Sequence, residues 1–336
     1  MIRVAIVGLA HPHVTYLLTE IAHRPELRLV AVAERDADLR ARYLGDVEAD
    51  VVVHDHHDTL LADHEVDVVA ICGIYAERAD AVVAALRAGA HVVADKPLCT
   101  ELDQLAAIEK TAAETGRMVS VMFEKRFYPS TLAVRRLIDA GVLGVPALIA
   151  STGPHKLNRA TRPDWFFRRD GYGGITGDLP VHDIDLVLLL SGATDGTVSA
   201  LAGNARLPEL PEFSDHTAVL LNAGDIAATI EANWLSPEAA DVHGHYRMRI
   251  AGTEGTAEID WAYNRLDVAT HTRAPWQEPL GERKRAAEDF FDAVLAGTSP
   301  EVDTAASLTA TGVALLAQRS ADSGGEVLRW TRRGES

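Results

Sequence analysis

Ile2-Arg3-Val4-Ala5-Ile6-Val7-Gly8-Leu9-Ala10-His11-Pro12-His13 sets an apolar run against a glycine turn. An apolar run without polar alternation suits a strand buried on both faces, as in a parallel sheet covered by helices. Beyond the turn, residues 15–24 have helical spacing, and residues 27–33 repeat the apolar run. The alternation continues with a helix at 37–44, a strand at 66–71, a helix at 77–88 and a strand at 91–94. Another helix and a strand at 118–122 end the series. Strands alternating with helices of this length build βαβ units and a parallel sheet. The expected first domain is an α/β, Rossmann-type unit over residues 1–122.

After Phe123 the rhythm changes. Helical patterns at 131–140, 179–190, 285–295 and 304–320 flank strands at 146–152, 198–206, 217–221, 226–234, 246–250 and 257–261. Asn222-Ala223-Gly224-Asp225 and Gly252-Thr253-Glu254-Gly255 have the composition of hairpin turns. The expected second domain, residues 123–336, is α+β with an antiparallel sheet.

The chain is 336 residues, more than one core comfortably fills, which agrees with two domains. With 47% hydrophobic and 24% charged residues it has the composition of a globular protein, not a disordered one. No run of 18 apolar residues exists, so no transmembrane helix is expected. Thirty-two Lys and Arg against 49 Asp and Glu leave a net charge of −17, which weighs against nucleic acid and acidic membranes as partners. Cys72 and Cys99 cannot form a disulfide framework or a zinc site alone. With no signal-peptide pattern after Met1, a cytoplasmic location is expected.

Gly8 to His13 falls where a dinucleotide fold places its glycine-rich turn, with helix N–H groups facing a pyrophosphate. Only the first glycine of G-x-G-x-x-G is kept; Ala10 and His13 hold the other two places. Alone, this motif is equally a plain strand-to-helix turn. Glu34 ends the second strand, where an acid accepts from ribose hydroxyls and its charge disfavours a 2′-phosphate. Arg35 is the counter-signal, able to pair with that phosphate. Gly8, Ala10, His11, His13, Glu34 and Arg35 are therefore the cofactor-side candidates, with NAD favoured and NADP possible.

Several further segments occur in a telling order: Ala88-Gly89-Ala90-His91-Val92-Val93-Ala94-Asp95-Lys96-Pro97, Phe123 to Pro129, Gly173-Gly174-Ile175-Thr176-Gly177-Asp178-Leu179-Pro180-Val181-His182-Asp183, and Gly252 to Thr256. With Gly8 and its modified turn, the chain resembles the glucose–fructose oxidoreductase and inositol dehydrogenase (Gfo/Idh/MocA) family. The resemblance implies an NAD(P)-dependent oxidoreductase acting on a sugar, polyol or related hydroxyl compound. It also implies a large open sheet in the second domain, used for substrate and for homodimer or homotetramer contacts. Departures are visible: Ile74, Tyr75 and Arg78 replace the family's Pro, Asn and His, and Asp95 replaces its Glu.

Oxidising a secondary alcohol needs a base for the proton, a hydride acceptor, and a donor for the developing alkoxide. Lys96, at the carboxyl end of a parallel strand, is the candidate donor and a further cofactor contact; its bland alternative is a surface lysine before a strand-ending proline. Asp178 and His182 are four apart and share one face of a helix. His182 is the candidate acid or base, its alternative a core imidazole; Asp178 is the group orienting Lys96 or His182, a role compatible with its also being an N-cap. His54 to Asp58 reads as a solvated loop rather than a metal site, and no metal is expected there or where His11 and His13 approach His182. Arg162, Trp165, Arg168 and Arg169 line a polyol pocket or else belong to an exposed loop or a subunit contact. Two other classes remain compatible: a redox-assisted hydrolase or eliminase that retains NAD, and a cofactor-sensing regulator.

Overall fold

The computed structural model describes residues 1–45 and 51–334. Strands β1 (Ile2–Val7), β2 (Leu27–Ala33), β3 (Val52–His54), β4 (Val68–Ile71), β5 (His91–Ala94) and β6 (Val119–Val121) form one sheet, ordered β3-β2-β1-β4-β5-β6. Every pairing in it is parallel. Helices α1 (Val14–His23), α2 (Ala37–Leu44), α3 (His57–Asp63), α4 (Arg78–Arg87) and α5 (Leu102–Thr115) connect the strands. The strand order reverses between β1 and β4, which opens a crevice at their carboxyl ends. Gly8, at φ +76°, lets the end of β1 abut the chain after β4: a Cβ there would lie 2.2 Å from Gly73 Cα.

The second half adds α6 (Pro129–Asp139), β7 (Pro146–Pro154), the single turns α7 (Arg169–Tyr172) and α8 (Ile175–Asp178), and α9 (Val181–Ser191). Then come β8 (Asp195–Gly203), β9 (His216–Ala223), β10 (Ile226–Asn233), β11 (Arg247–Gly252), β12 (Gly255–Asp260), β13 (Arg265–Thr270) and β14 (Trp276–Gln277). Helices α10 (Glu288–Ala296) and α11 (Thr304–Asp322) precede β15 (Leu328–Thr331). The sheet order is β14-β13-β12-β11-β7-β10-β9-β8-β15. Burial alternates along β9 and β10: one face packs on α8 and α9, with α11 covering β8 beside them, and the other is open. Both expected hairpins form, β9–β10 and β11–β12. Helix α10 reaches back to the first sheet, where Phe290 and Phe291 share a core with Val4, Ile6 and Leu29.

Three expectations need correction. The second sheet is mixed, because β7 and β10 run parallel. β7 leads into helices instead of a hairpin, so its neighbours are two later hairpins, β9–β10 and β11–β12, and one of them presents a strand of the same direction. The helix expected at 179–190 begins at Val181 and is separated from α8 by Leu179 and Pro180. Its N-cap residue is Pro180, so Asp178 does not cap it. Strands β3, β13, β14 and β15 were not legible; three of them are sheet edges of two to four residues, and β13 (Arg-Leu-Asp-Val-Ala-Thr) is half polar. His54 therefore belongs to a strand, and His57 and Asp58 to α3.

Candidate active site

One cleft of about 1080 Å³ lies over the carboxyl ends of β1, β2 and β4 and extends to the second sheet. All nine residues singled out from sequence line it: Gly8, Ala10, His11, His13, Glu34, Arg35, Lys96, Asp178 and His182.

The centre is a buried ion pair. Lys96 Nζ donates to a carboxylate oxygen of Asp178 and, at 3.2 Å, to the Asp178 carbonyl. Tyr172 Oη donates to the other carboxylate oxygen at 3.0 Å, Tyr75 Oη reaches the first at 3.3 Å, and Trp234 Nε1 donates to Tyr172 Oη at 3.1 Å. Burial works to raise the Asp178 pKa, but the Lys96 charge and hydrogen bond outweigh it and hold the carboxyl below its ordinary value. Burial, then the Asp178 charge, pushes both tyrosines well up, so they remain donors.

His182 lines the same cleft at 4% exposure. Burial, followed by the charges of Lys96 and Lys125, pushes its pKa well down, which favours the neutral imidazole. Its Nδ1 lies 3.5 Å from Glu124 Oε2, and neither atom has a hydrogen-bond partner among the described residues. Glu124 was not singled out as a site residue, because nothing in its own segment points to His182.

On the nucleotide side, Asp95 is the organiser. His11 Nδ1 and His13 Nδ1 each lie 2.8 Å from one of its oxygens. Arg78 donates to Asp95 Oδ2 at 3.1 Å and to the carbonyls of Gly73, Asp95 and Pro97. Burial drives His11 down to about 4, whereas at His13 the Asp95 and Glu124 charges overcome burial and raise the pKa. His11 and His13 thus both pair with Asp95. His11, His13 and Asp95 stand close enough to hold a metal ion, as do His56, His57 and Asp58. In the first group the carboxylate is already engaged by a guanidinium and two imidazoles, which disfavours a further dication. Arg162 and Trp165 line the cleft, while Arg168 pairs with Asp170 and Arg169 with Asp322.

A dinucleotide fits the donors and acceptors present. Glu34 accepts from the N–H groups of Leu9 (2.7 Å) and Asp36 (2.8 Å), one on each oxygen, which leaves lone pairs for ribose hydroxyls. Arg35 is tied to Glu77 at 3.0 Å. His13 turns its ring onto Tyr16, 4.9 Å between centroids, and its Nδ1 to Asp95.

A parallel sheet with this switch point, and a buried Lys–Asp pair beside a neutral histidine in its crevice, defines a nucleotide-dependent redox enzyme. The chain belongs to the Gfo/Idh/MocA family of NAD-binding oxidoreductases. Residues 2–123 match the oxidoreductase family's NAD-binding Rossmann fold, and residues 131–258 match the GFO/IDH/MocA C-terminal domain. Scyllo-inositol 2-dehydrogenase (NAD⁺) of Bacillus subtilis is 28% identical over 77% of this chain and 73% of its own length. D-xylose 1-dehydrogenase (NADP⁺) 2 of Haloferax volcanii is 27% identical over 90% and 92%. A solved Erwinia carotovora atroseptica protein superposes with a TM-score of 0.89 at 30% identity, covering 96% of this chain and 99% of that one.

Proposed function

We propose that this enzyme oxidises or reduces a sugar, polyol or related hydroxyl compound by hydride transfer at a secondary alcohol, with NAD preferred over NADP. The observation carrying the reading is that Lys96, Asp178 and His182 share one cleft with Glu34 and the Gly8 turn. When bound, the nicotinamide supplies the hydride acceptor. Lys96 donates to the reacting oxygen and stabilises negative charge developing on it. His182, kept neutral by burial, takes the hydroxyl proton in oxidation and returns it in reduction. Asp178 holds the Lys96 ammonium in place. On the cofactor side, Gly8, Ala10, His11 and His13 form the phosphate-side wall, and Glu34 disfavours a 2′-phosphate.

In this reading residues 1–122 bind the dinucleotide, and residues 123–336 bind substrate and make a homodimer or homotetramer. Leu148, Leu201 and Leu220, exposed on the open sheet face, support that assembly. A cytoplasmic location is supported by the two buried free thiols, Cys72 and Cys99. No helix among the described residues is long and apolar enough to cross a membrane. The test is NADH absorbance and product formation across polyols, sugars and glycosides. Stoichiometric NADH with oxidised product supports the reading. Glycoside cleavage or elimination without net NADH contradicts it, as does cofactor binding without turnover of any compound.

A further inference from the structure

Arg162 is the pocket residue whose position the hydride-transfer scheme leaves unexplained. Its guanidinium carbon lies 4.5 Å from the centroid of the Phe166 ring and 4.9 Å from that of Trp234, two rings meeting nearly edge to face. Nε donates to the Leu157 carbonyl at 3.1 Å, which fixes the plane of the fork. The group is half-buried, lines the cleft, and has no carboxylate partner within 4 Å among the described residues. Two other cations of the cleft are neutralised: Lys96 by Asp178 and Lys125 by Asp183 at 2.9 Å. Lys156 donates to the Ala240 carbonyl. A guanidinium held by aromatic faces and one backbone bond, with its two terminal nitrogens left over, is shaped for a bidentate anion.

The platform is also wired to the reacting centre. Trp234, under the guanidinium, donates to Tyr172, which donates to Asp178, which holds Lys96. Of the neighbouring imidazoles, His243 is lowered by burial and then by Arg162 and Lys156, and His155 is lowered chiefly by burial. Neither supplies a competing charge.

We propose that the substrate is a polyhydroxy carboxylate, a sugar acid, whose carboxylate docks on the Arg162 fork while its hydroxyl meets Lys96 and His182. This rests on the hydride-transfer reading above for the alcohol end only. Lys156 is the other cation near His243, but its ammonium is turned to the Ala240 carbonyl, so the single Arg162 fork matches one carboxylate charge better than a phosphate dianion. Within a chain of net charge −17, the Arg162 fork is a local positive group on the cleft wall, without a carboxylate partner among the described residues, to which an anion can dock.

The test compares neutral and acidic partners, D-xylose with D-xylonate and D-glucose with D-glucuronate, and adds D-glucose 6-phosphate. Wild type, Arg162→Gln and Arg162→Lys are assayed with NAD⁺, and acid binding to the NADH-loaded enzyme is measured by calorimetry. NADH affinity and melting temperature report that the variants fold. The acids should be preferred in kcat/KM. Arg162→Gln should raise their KM about 10- to 100-fold with little change in kcat, the span of one charged hydrogen-bonded contact, and change kcat/KM for neutral compounds far less. Arg162→Lys, lacking the fork, should recover only part of that loss. Preference for the neutral partner or for the phosphate, or an equal loss on acids and neutrals in Arg162→Gln, overturns the proposal. If no compound yields NADH but Arg162-dependent binding of the acids persists, the anion site stands and the hydride-transfer reading falls.

Discussion

Asp95 and Lys96 are neighbours in sequence, yet they serve two buried charge clusters of opposite character. Asp95 is wholly buried and surrounded by Arg78, His11 and His13, and the Arg78 side chain is equally inaccessible. Asp178, reached by Lys96, accepts from one ammonium and two phenols and lines the open cleft. Both carboxyl groups are held below their ordinary pKa, so ionisation alone does not tell the two clusters apart. Accessibility and donor supply do. The Arg78 guanidinium is spent on three carbonyls and a carboxylate, tying the ends of β4 and β5 together. Lys96 can offer a proton of its ammonium to a ligand. In the proposed function the first cluster is a brace and the second the reaction centre.

The contrast is broken most easily at His182. His182→Asn should lower kcat by about 10²–10⁴-fold with little change in NADH affinity, as expected for a general acid–base group. Only the neutral imidazole accepts a proton, so activity is lost as pH falls through its depressed pKa. Wild-type kcat/KM should therefore stay flat through pH 6.5, where an exposed histidine would titrate, and decline only in more acidic buffer. An active His182→Asn enzyme with an unchanged pH profile would make His182 a core residue.

Arg78→Met probes the brace. It leaves Asp95 buried without its guanidinium partner, which should cost about 3–5 kcal/mol in urea unfolding. Refolded protein should keep the Lys96-dependent chemistry, measured as kcat at saturating cofactor below the midpoint. Loss of kcat without loss of stability would place Arg78 in the reaction centre instead. The smallest effect is expected at Glu34. Glu34→Ala should shift the NADH to NADPH affinity ratio by about 10-fold toward NADPH, read by fluorescence titration, because one carboxylate facing a phosphate is removed. Tighter NADPH than NADH binding by wild type would mean that Arg35 outweighs Glu34.

The fold was legible to the extent that periodicity carries it. The βαβ alternation and both hairpins need only local apolar spacing and turn residues. The parallel insertion of β10 beside β7 does not appear in local pattern, since strand direction depends on which later hairpin docks. Asp178 shows the same limit in the site. Its distance of four from His182 suggested one helix face, whereas Pro180 restarts the helix and frees the carboxylate for Lys96. Lys96, Asp178 and His182 were found through motif order, but Tyr75, Tyr172, Arg78 and Glu124 were assigned no site role. Their partners in the site come from separate elements of the chain, and a buried tyrosine or arginine looks like any other in sequence.

The central claim is that Lys96 acts on the reacting oxygen and does not merely hold the fold. Lys96→Met keeps much of the apolar stem and removes the charge and donors. Turnover should be followed by NADH absorbance on the best substrate of the panel, with NADH affinity measured on the same preparation. The account predicts a loss of about 10²–10³-fold in kcat, the span for removing a donor to a developing oxyanion, with cofactor affinity near wild type. Near-normal kcat in a variant that binds NADH normally would contradict it.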